Sequence, residues 1–139
     1  MANKIHRAPT ILLVENYPET RELLRKWLEN RGCRLVEAAD GQEALDLAPL
    51  AQPDLILMDL RLPKLNGIAA TRRIRQNPQL KDVPVVALSA LDPSMFREAA
   101  LSVGCVDFIS KPIDLDQLEE LLTRLLGKDL FTARASRTH

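Results

Sequence analysis

The chain has 139 residues, 46% of them hydrophobic and 27% charged, with a formal net charge of zero. That length suits one domain with a real core, and the charge balance gives no reason to expect nucleic acid or an anionic membrane surface as a partner. Apolar runs such as Ile11–Val14 are far too short to span a bilayer, and the opening Met-Ala-Asn-Lys-Ile-His-Arg has no apolar signal core, so neither membrane insertion nor export is expected.

Residues 1–9 read as a polar lead. Thr10–Val14 is the first strand candidate, ending in Glu15-Asn16, and Pro18 then suits the first turn of a helix. Leu23, Leu24, Trp27 and Leu28 recur on one face of that helix, with Glu22, Arg25, Lys26 and Glu29 elsewhere and Gly32 as its stop. Leu35–Ala38 alternates weakly, as a strand at or near an edge does. Asp40-Gly-Gln-Glu43 has the spacing of a capping box, opening a helix that carries Ala44, Leu45 and Ala48 and that Pro49 should end or kink.

Leu55 to Met58 is an unbroken apolar run that stops at Asp59, the pattern of a strand covered on both faces, although a buried helical turn has the same signature. Pro63 and Gly67 supply turn chemistry, so Asp59 falls where strand hands over to loop. Taken alone, Asp59 reads more readily as a turn or helix cap than as a functional acid. A helix is expected over about Leu65–Arg75 with Arg72, Arg73 and Arg75 outward, as a binding patch or a solvated face.

Val83–Leu88 is the fourth strand candidate, with Ser89 just past its end. Asp92-Pro93 starts a helix bearing Phe96, Ala99, Ala100 and Val103 on one side, and Gly104 breaks it. Val106–Ile109 is a short fifth strand, followed by Lys111-Pro112. Asp114 caps a last helix whose Leu115, Leu118, Leu122 and Leu125 form one stripe, widened by Leu121 and Leu126 for a broad core contact or for a partner. Residues 10–127 thus form the expected domain, and residues 128–139 a loose polar tail. Cys33 and Cys105 match no metal or redox spacing and read as buried reduced thiols, which suits a cytoplasmic location.

Five strands alternating with five helices imply an α/β fold around a parallel sheet, closed by right-handed crossovers. Ligands of such sheets bind beyond the carboxyl ends of the strands. Glu15, Asn16, Asp59, Ser89 and Lys111 all fall on that edge. Together they offer two carboxylates, an amide, a hydroxyl and an ammonium. Magnesium is held by one or two carboxylates with phosphate oxygens and waters, and a carboxylate can attack phosphorus to give an acyl phosphate. A hydroxyl and an ammonium suit the phosphoryl oxygens.

Ile11-Leu-Leu-Val-Glu-Asn16, Leu57-Met-Asp59-Leu-Arg-Leu-Pro63 with Gly67, Leu88-Ser-Ala90 and Ile109-Ser-Lys111-Pro112 resemble the receiver-domain motifs of two-component response regulators, in order and spacing, over about Thr10–Leu126. The resemblance implies a flavodoxin-like (βα)5 three-layer sandwich with strand order 2-1-3-4-5. It implies Asp59 as phosphoacceptor, Glu15 and Asn16 at the acidic pair that holds Mg2+, and a backbone carbonyl ligand from Arg61. It also implies Ser89 as the switch hydroxyl, Lys111 as the lysine that contacts the phosphoryl group, and Phe108 as the aromatic that turns with the switch. The implied donor is a sensor histidine kinase or histidine phosphotransfer protein, with a downstream protein target and no direct nucleic acid binding. Such a protein is not a conventional enzyme, since it catalyses at most its own aspartyl phosphorylation and dephosphorylation.

Asn16 departs from that pattern, which has aspartate there. A unit charge about 4 Å from a divalent ion carries several kcal/mol of raw Coulomb energy at a dielectric of about 20, much of it offset by hydration. Weaker magnesium binding and slower phosphorylation are therefore expected. The alternative is a pseudo-receiver, an interaction module with weak or no Mg-dependent phosphorylation. A flavin- or nucleotide-binding protein is disfavoured, because Glu15-Asn-Tyr-Pro18 holds no glycine to cradle a phosphate and no P-loop pattern occurs.

Overall fold

The computed structural model describes residues 7–127, so residues 1–6 of the expected lead and the expected tail at 128–139 lie outside the described residues. Five strands alternate with five helices: β1 (Thr10–Val14), α1 (Pro18–Asn30), β2 (Arg34–Ala38), α2 (Gly41–Ala51), β3 (Leu55–Asp59), α3 (Gly67–Gln76), β4 (Val85–Ser89), α4 (Pro93–Ser102), β5 (Asp107–Ser110) and α5 (Leu115–Leu126). All pairings are parallel and the sheet order is β2-β1-β3-β4-β5, the expected flavodoxin-like arrangement. The weakly alternating β2 is at one edge, as its pattern suggested.

Alternation along the three central strands divides the core into two layers, because successive side chains point to opposite faces. Leu12, Val14, Ile56, Met58, Val85 and Ala87 pack with Ala44, Ala48, Ala70, Ile74 and Ala100 of α2, α3 and α4. Ile11, Leu13, Leu55, Leu57, Val86 and Leu88 pack with Leu24 and Leu28 of α1 and with the α5 leucines. Both faces of β3 are thereby covered, which is why Leu55–Met58 carries no polar residue. Leu118, Leu121, Leu122 and Leu126 of α5 are all buried, so the wide stripe is core.

Several local expectations are corrected. Leu23 is exposed, because only the i, i+4 pair Leu24 and Leu28 faces the sheet. The side of Trp27 packs on the same core layer, and the Arg31 guanidinium stacks over its ring at 4.1 Å. Pro49 neither ends nor interrupts α2, which continues to Ala51 before Gln52 turns into the left-handed region. Proline so near the end removes only a bond to Leu45 that the terminal turn can forgo. Helix α3 starts at Gly67, two residues later than expected, because Asn66 caps it by accepting from the Ala69 N–H at 2.9 Å. The fourth strand is displaced to Val85–Ser89, making Ser89 its last residue, and the fifth begins at Asp107 and leaves Val106 exposed.

Arg75 does not face solvent. Its guanidinium turns back along α3 and donates to the carbonyls of Gly104, Leu80, Lys81 and Val83, stapling the loop before β4 to the end of α4. Asp40 caps α2 as expected, accepting from Glu43 N–H at 2.7 Å, while the Glu43 carboxylate accepts from Ala39 N–H. Cys33 and Cys105 are buried and unpaired, and burial pushes the Cys33 thiol up to about 12.

Candidate functional site at the carboxyl edge of the sheet

Parallel strands deliver their last residues to one edge, and β1, β3, β4 and β5 end there at Val14, Asp59, Ser89 and Ser110. Glu15 follows β1 directly and is fully buried; its backbone N–H is still held by the Ala38 carbonyl, which keeps the residue in line with the sheet. Its carboxylate accepts from Lys111 Nζ at 2.8 Å and from the Tyr17 N–H at 3.1 Å. Asp59 is only 5% exposed, with one oxygen accepting from Lys111 Nζ at 3.2 Å and the other from the Arg61 N–H at 3.1 Å. One ammonium therefore bridges two carboxylates that come from different strands.

Lys111 reaches this position because its own backbone N–H is bonded to the Ser89 carbonyl at 2.8 Å, and a cis peptide bond links it to Pro112. Burial raises the pKa of Glu15; the Lys111 hydrogen bond opposes that rise and the Asp59 charge adds to it. The ammonium is thus the group that keeps two buried, close carboxylates compatible with their charges.

Asn16 is exposed and lines the same cleft, a cavity of about 570 Å³ bordered also by Arg61, Thr20, Ala90 and Pro112. Ser89 is brought to the edge but is fully buried, and its Oγ accepts from the Leu91 N–H at 2.9 Å. The hydroxyl is therefore folded into the loop after β4. Phe108 is 3% exposed and points into the core layer of α2–α4, the inward position.

Among the described residues no three His, Cys, Asp or Glu side chains converge on one point. The donor set of Glu15, Asp59, the Asn16 amide and the Arg61 carbonyl is nevertheless all oxygen and includes two carboxylates. That chemistry fits magnesium, which keeps several waters and seldom needs an all-protein cage.

Three supporting features went unnoticed in the sequence. Arg21 donates to the Glu15 carbonyl at 2.8 Å and fixes the start of the β1–α1 loop. By spacing Gly67 is a turn residue, yet a Cβ there would lie 2.2 Å from the Asp59 carbonyl oxygen. Likewise a Cβ on Gly41 would fall 1.9 Å from the Leu65 carbonyl oxygen, so α2 packs directly on the loop that follows Asp59. The turn residue with positive φ in that loop is Lys64, at 67°. A glycine at the first position of α2 and of α3 is the sequence signal for these close approaches.

Residues 11–123 match the family described as response regulator receiver domain. This chain belongs to the response regulator receiver family. A curated relative, the polar-differentiation response regulator DivK of Brucella anthropi, is 34% identical over 118 residues, covering 85% of this chain and 96% of that protein. The receiver domain of a sensor histidine kinase from Pseudomonas aeruginosa, solved with a magnesium ion coordinated in its active-site cleft, is 37% identical with a TM-score of 0.81. That match covers 87% of this chain and 99% of the other. The Vibrio cholerae chemotaxis protein CheY4 is 26% identical with a TM-score of 0.80, covering 86% and 99% of the two chains. Receiver domains generally bind magnesium and work with histidine kinases and downstream targets. No helix among the described residues is long and apolar enough to cross a membrane.

Proposed function

We propose that this receiver accepts a phosphoryl group on Asp59 from a histidine kinase or a histidine phosphotransfer protein and signals to a partner protein by a change of conformation. The observation that carries this reading is the bridging of Glu15 and Asp59 by one buried-edge ammonium, Lys111. Such a cluster matches the needs of acyl phosphate formation: an ionised nucleophile, a cation for the incoming charge, and oxygens for a hard metal.

In the reaction an Asp59 carboxylate oxygen forms a bond to phosphorus while the bond from phosphorus to the donor's imidazole nitrogen breaks, and the electron pair leaves with the imidazole. The Arg61 N–H holds one Asp59 oxygen in place, and the Lys111 ammonium is positioned to pair with a phosphoryl oxygen once it gives up part of its contact with the carboxylate. Bound magnesium, held by Glu15, Asp59, Asn16 and the Arg61 carbonyl, would supply charge neutralisation at the phosphoryl oxygens. With Asn16 in place of an acid, the cleft holds one negative charge fewer, so metal binding is weaker and phosphorylation slower than with two acids after β1. Switching then requires Ser89 to leave the Leu91 N–H and turn its hydroxyl to the phosphoryl group. Phe108 starts from its inward position.

Borohydride trapping tests the assignment. After incubation with acetyl phosphate and magnesium, reduction should convert residue 59 alone to homoserine, read by peptide mass spectrometry. Homoserine at another aspartate would reassign the acceptor. Absence of any trapped acyl phosphate would support the pseudo-receiver, for which the neutral and exposed Asn16 is the favouring observation.

A further inference from the structure

A second cavity of about 610 Å³ lies beside the phosphorylation cleft, between the loop after β3, the outer side of α3 and the start of α4. Its lining is mixed: Leu62, Ile68, Leu91 and Phe96 supply the apolar part, and Arg61, Arg72, Asn16 and Asn66 the polar part. No aspartate or glutamate lines it. Several other arginines are ion-paired: Arg21 and Arg25 with Glu37, Arg31 with Glu119, and Arg97 and Arg124 with Asp107. Among the described residues the side chains of Arg61 and Arg72 have no carboxylate or carbonyl partner.

We propose that this groove is a docking site for a short acidic peptide segment of a partner protein, with Asp or Glu flanking one aliphatic or aromatic side chain. The charge pattern argues for that occupant. Two unpaired guanidiniums offer planar, paired donors that match carboxylates, and the apolar part of the lining suits a single buried anchor. The chain's zero net charge provides no general attraction for polyanions, so the preference is confined to this groove. Arg61 and Asn16 border both cavities, so the docked segment lies against the loop that carries Asp59. The proposal concerns the unphosphorylated protein and stands apart from whether Asp59 accepts phosphate.

The test is selection of short random peptides displayed on phage against the full chain, followed by fluorescence anisotropy of the winning peptides. Enriched sequences should carry acidic residues on either side of an apolar one. Arg72→Glu should weaken their binding about tenfold or more, as loss of a charge-assisted pair does. Arg73→Glu, also exposed on α3 but outside the groove, should leave binding unchanged. Amide NMR shifts on peptide addition should cluster at Leu62, Ile68, Arg72 and Leu91. Selection of peptides without acidic residues, equal binding by Arg72→Glu, or shifts centred elsewhere would overturn the proposal. So would concentration-dependent self-association that Arg72→Glu abolishes, because the occupant would then be a second copy of the chain.

Discussion

Lys111 Nζ lies 2.8 Å from Glu15 Oε1, closer than its 3.2 Å approach to Asp59 Oδ2. The lysine is therefore shared, with its shorter bond to Glu15. The pair is nearly dry, with the Lys111 side chain 18% exposed and that of Glu15 1%. Removing one partner of a buried ion pair leaves an uncompensated charge. Lys111→Met should therefore lower stability by roughly 2 kcal/mol at neutral pH in magnesium-free buffer. Adding Asp59→Asn should recover part of the loss, since only one buried carboxylate then remains. Urea denaturation of the single and double variants checks both statements, and an undiminished midpoint for Lys111→Met would contradict them.

Gly67 offers a test of how Asp59 is held. The backbone of α3 comes so close to Asp59 that an added methyl would meet the Asp59 carbonyl oxygen at 2.2 Å and Leu60 Cα at 2.8 Å. Both obstacles are main chain, so relief requires moving the helix or the end of β3. Gly67→Ala should cost about 2–3 kcal/mol. It should also slow phosphorylation, because the displaced segment carries Asp59, the proposed acceptor. The same substitution at Gly104 is a useful contrast: there φ is +114° and the nearest atoms belong to the Arg75 side chain, far from the cleft. Its loss should appear in thermal or urea unfolding with little change in the phosphorylation rate.

A pH dependence is expected at the opposite edge of the sheet. Asp54 accepts from both Arg7 guanidinium nitrogens, at 2.8 and 2.7 Å, and from the Thr10 N–H at 2.7 Å. Burial acts to raise its pKa, but these three donors outweigh it and hold the carboxyl below its ordinary 3.8. A depressed folded-state value means stability that is present above the unfolded pKa and lost as pH falls through the folded one. Asp54→Asn should thus be less stable than the wild type at pH 7, and the difference should disappear below 3.8. Arg7 is half exposed, which limits the effect to about 1 kcal/mol or less. Guanidinium unfolding at several pH values measures it; a difference that grows on acidification would have the wrong sign.

The sheet was legible because burial on both faces leaves unbroken apolar runs, and their alternation with helical stretches marks them as strands. Leu55–Met58 and Val85–Leu88 have no polar residue to spare, and each ends in the polar group that marks the edge. The same logic brings Glu15, Asp59, Ser89 and Lys111 together, because each falls at the carboxyl end of a strand in a parallel sheet. Periodicity failed where a long side chain reaches past its own helix. Arg75 occupies an outward position in α3 by spacing, but its stem is long enough to fold over the helix end and satisfy carbonyls at Leu80, Val83 and Gly104. Spacing also could not reveal that Lys111 divides its charge between two acids, or that Ser89 is engaged by Leu91. Those are consequences of three-dimensional distance between residues far apart in the chain, or of a turn whose dihedrals the sequence does not specify.

Intact-protein mass after incubation with acetyl phosphate and magnesium tests the central claim most directly, alongside Asp59→Ala and Asn16→Asp. The wild type should gain about 80 Da, the mass of one phosphoryl group in place of a proton. Asp59→Ala should gain nothing, and Asn16→Asp should gain the same mass at a lower magnesium concentration. A gain that persists in Asp59→Ala, or wild type and Asn16→Asp that both stay unmodified, would contradict the account.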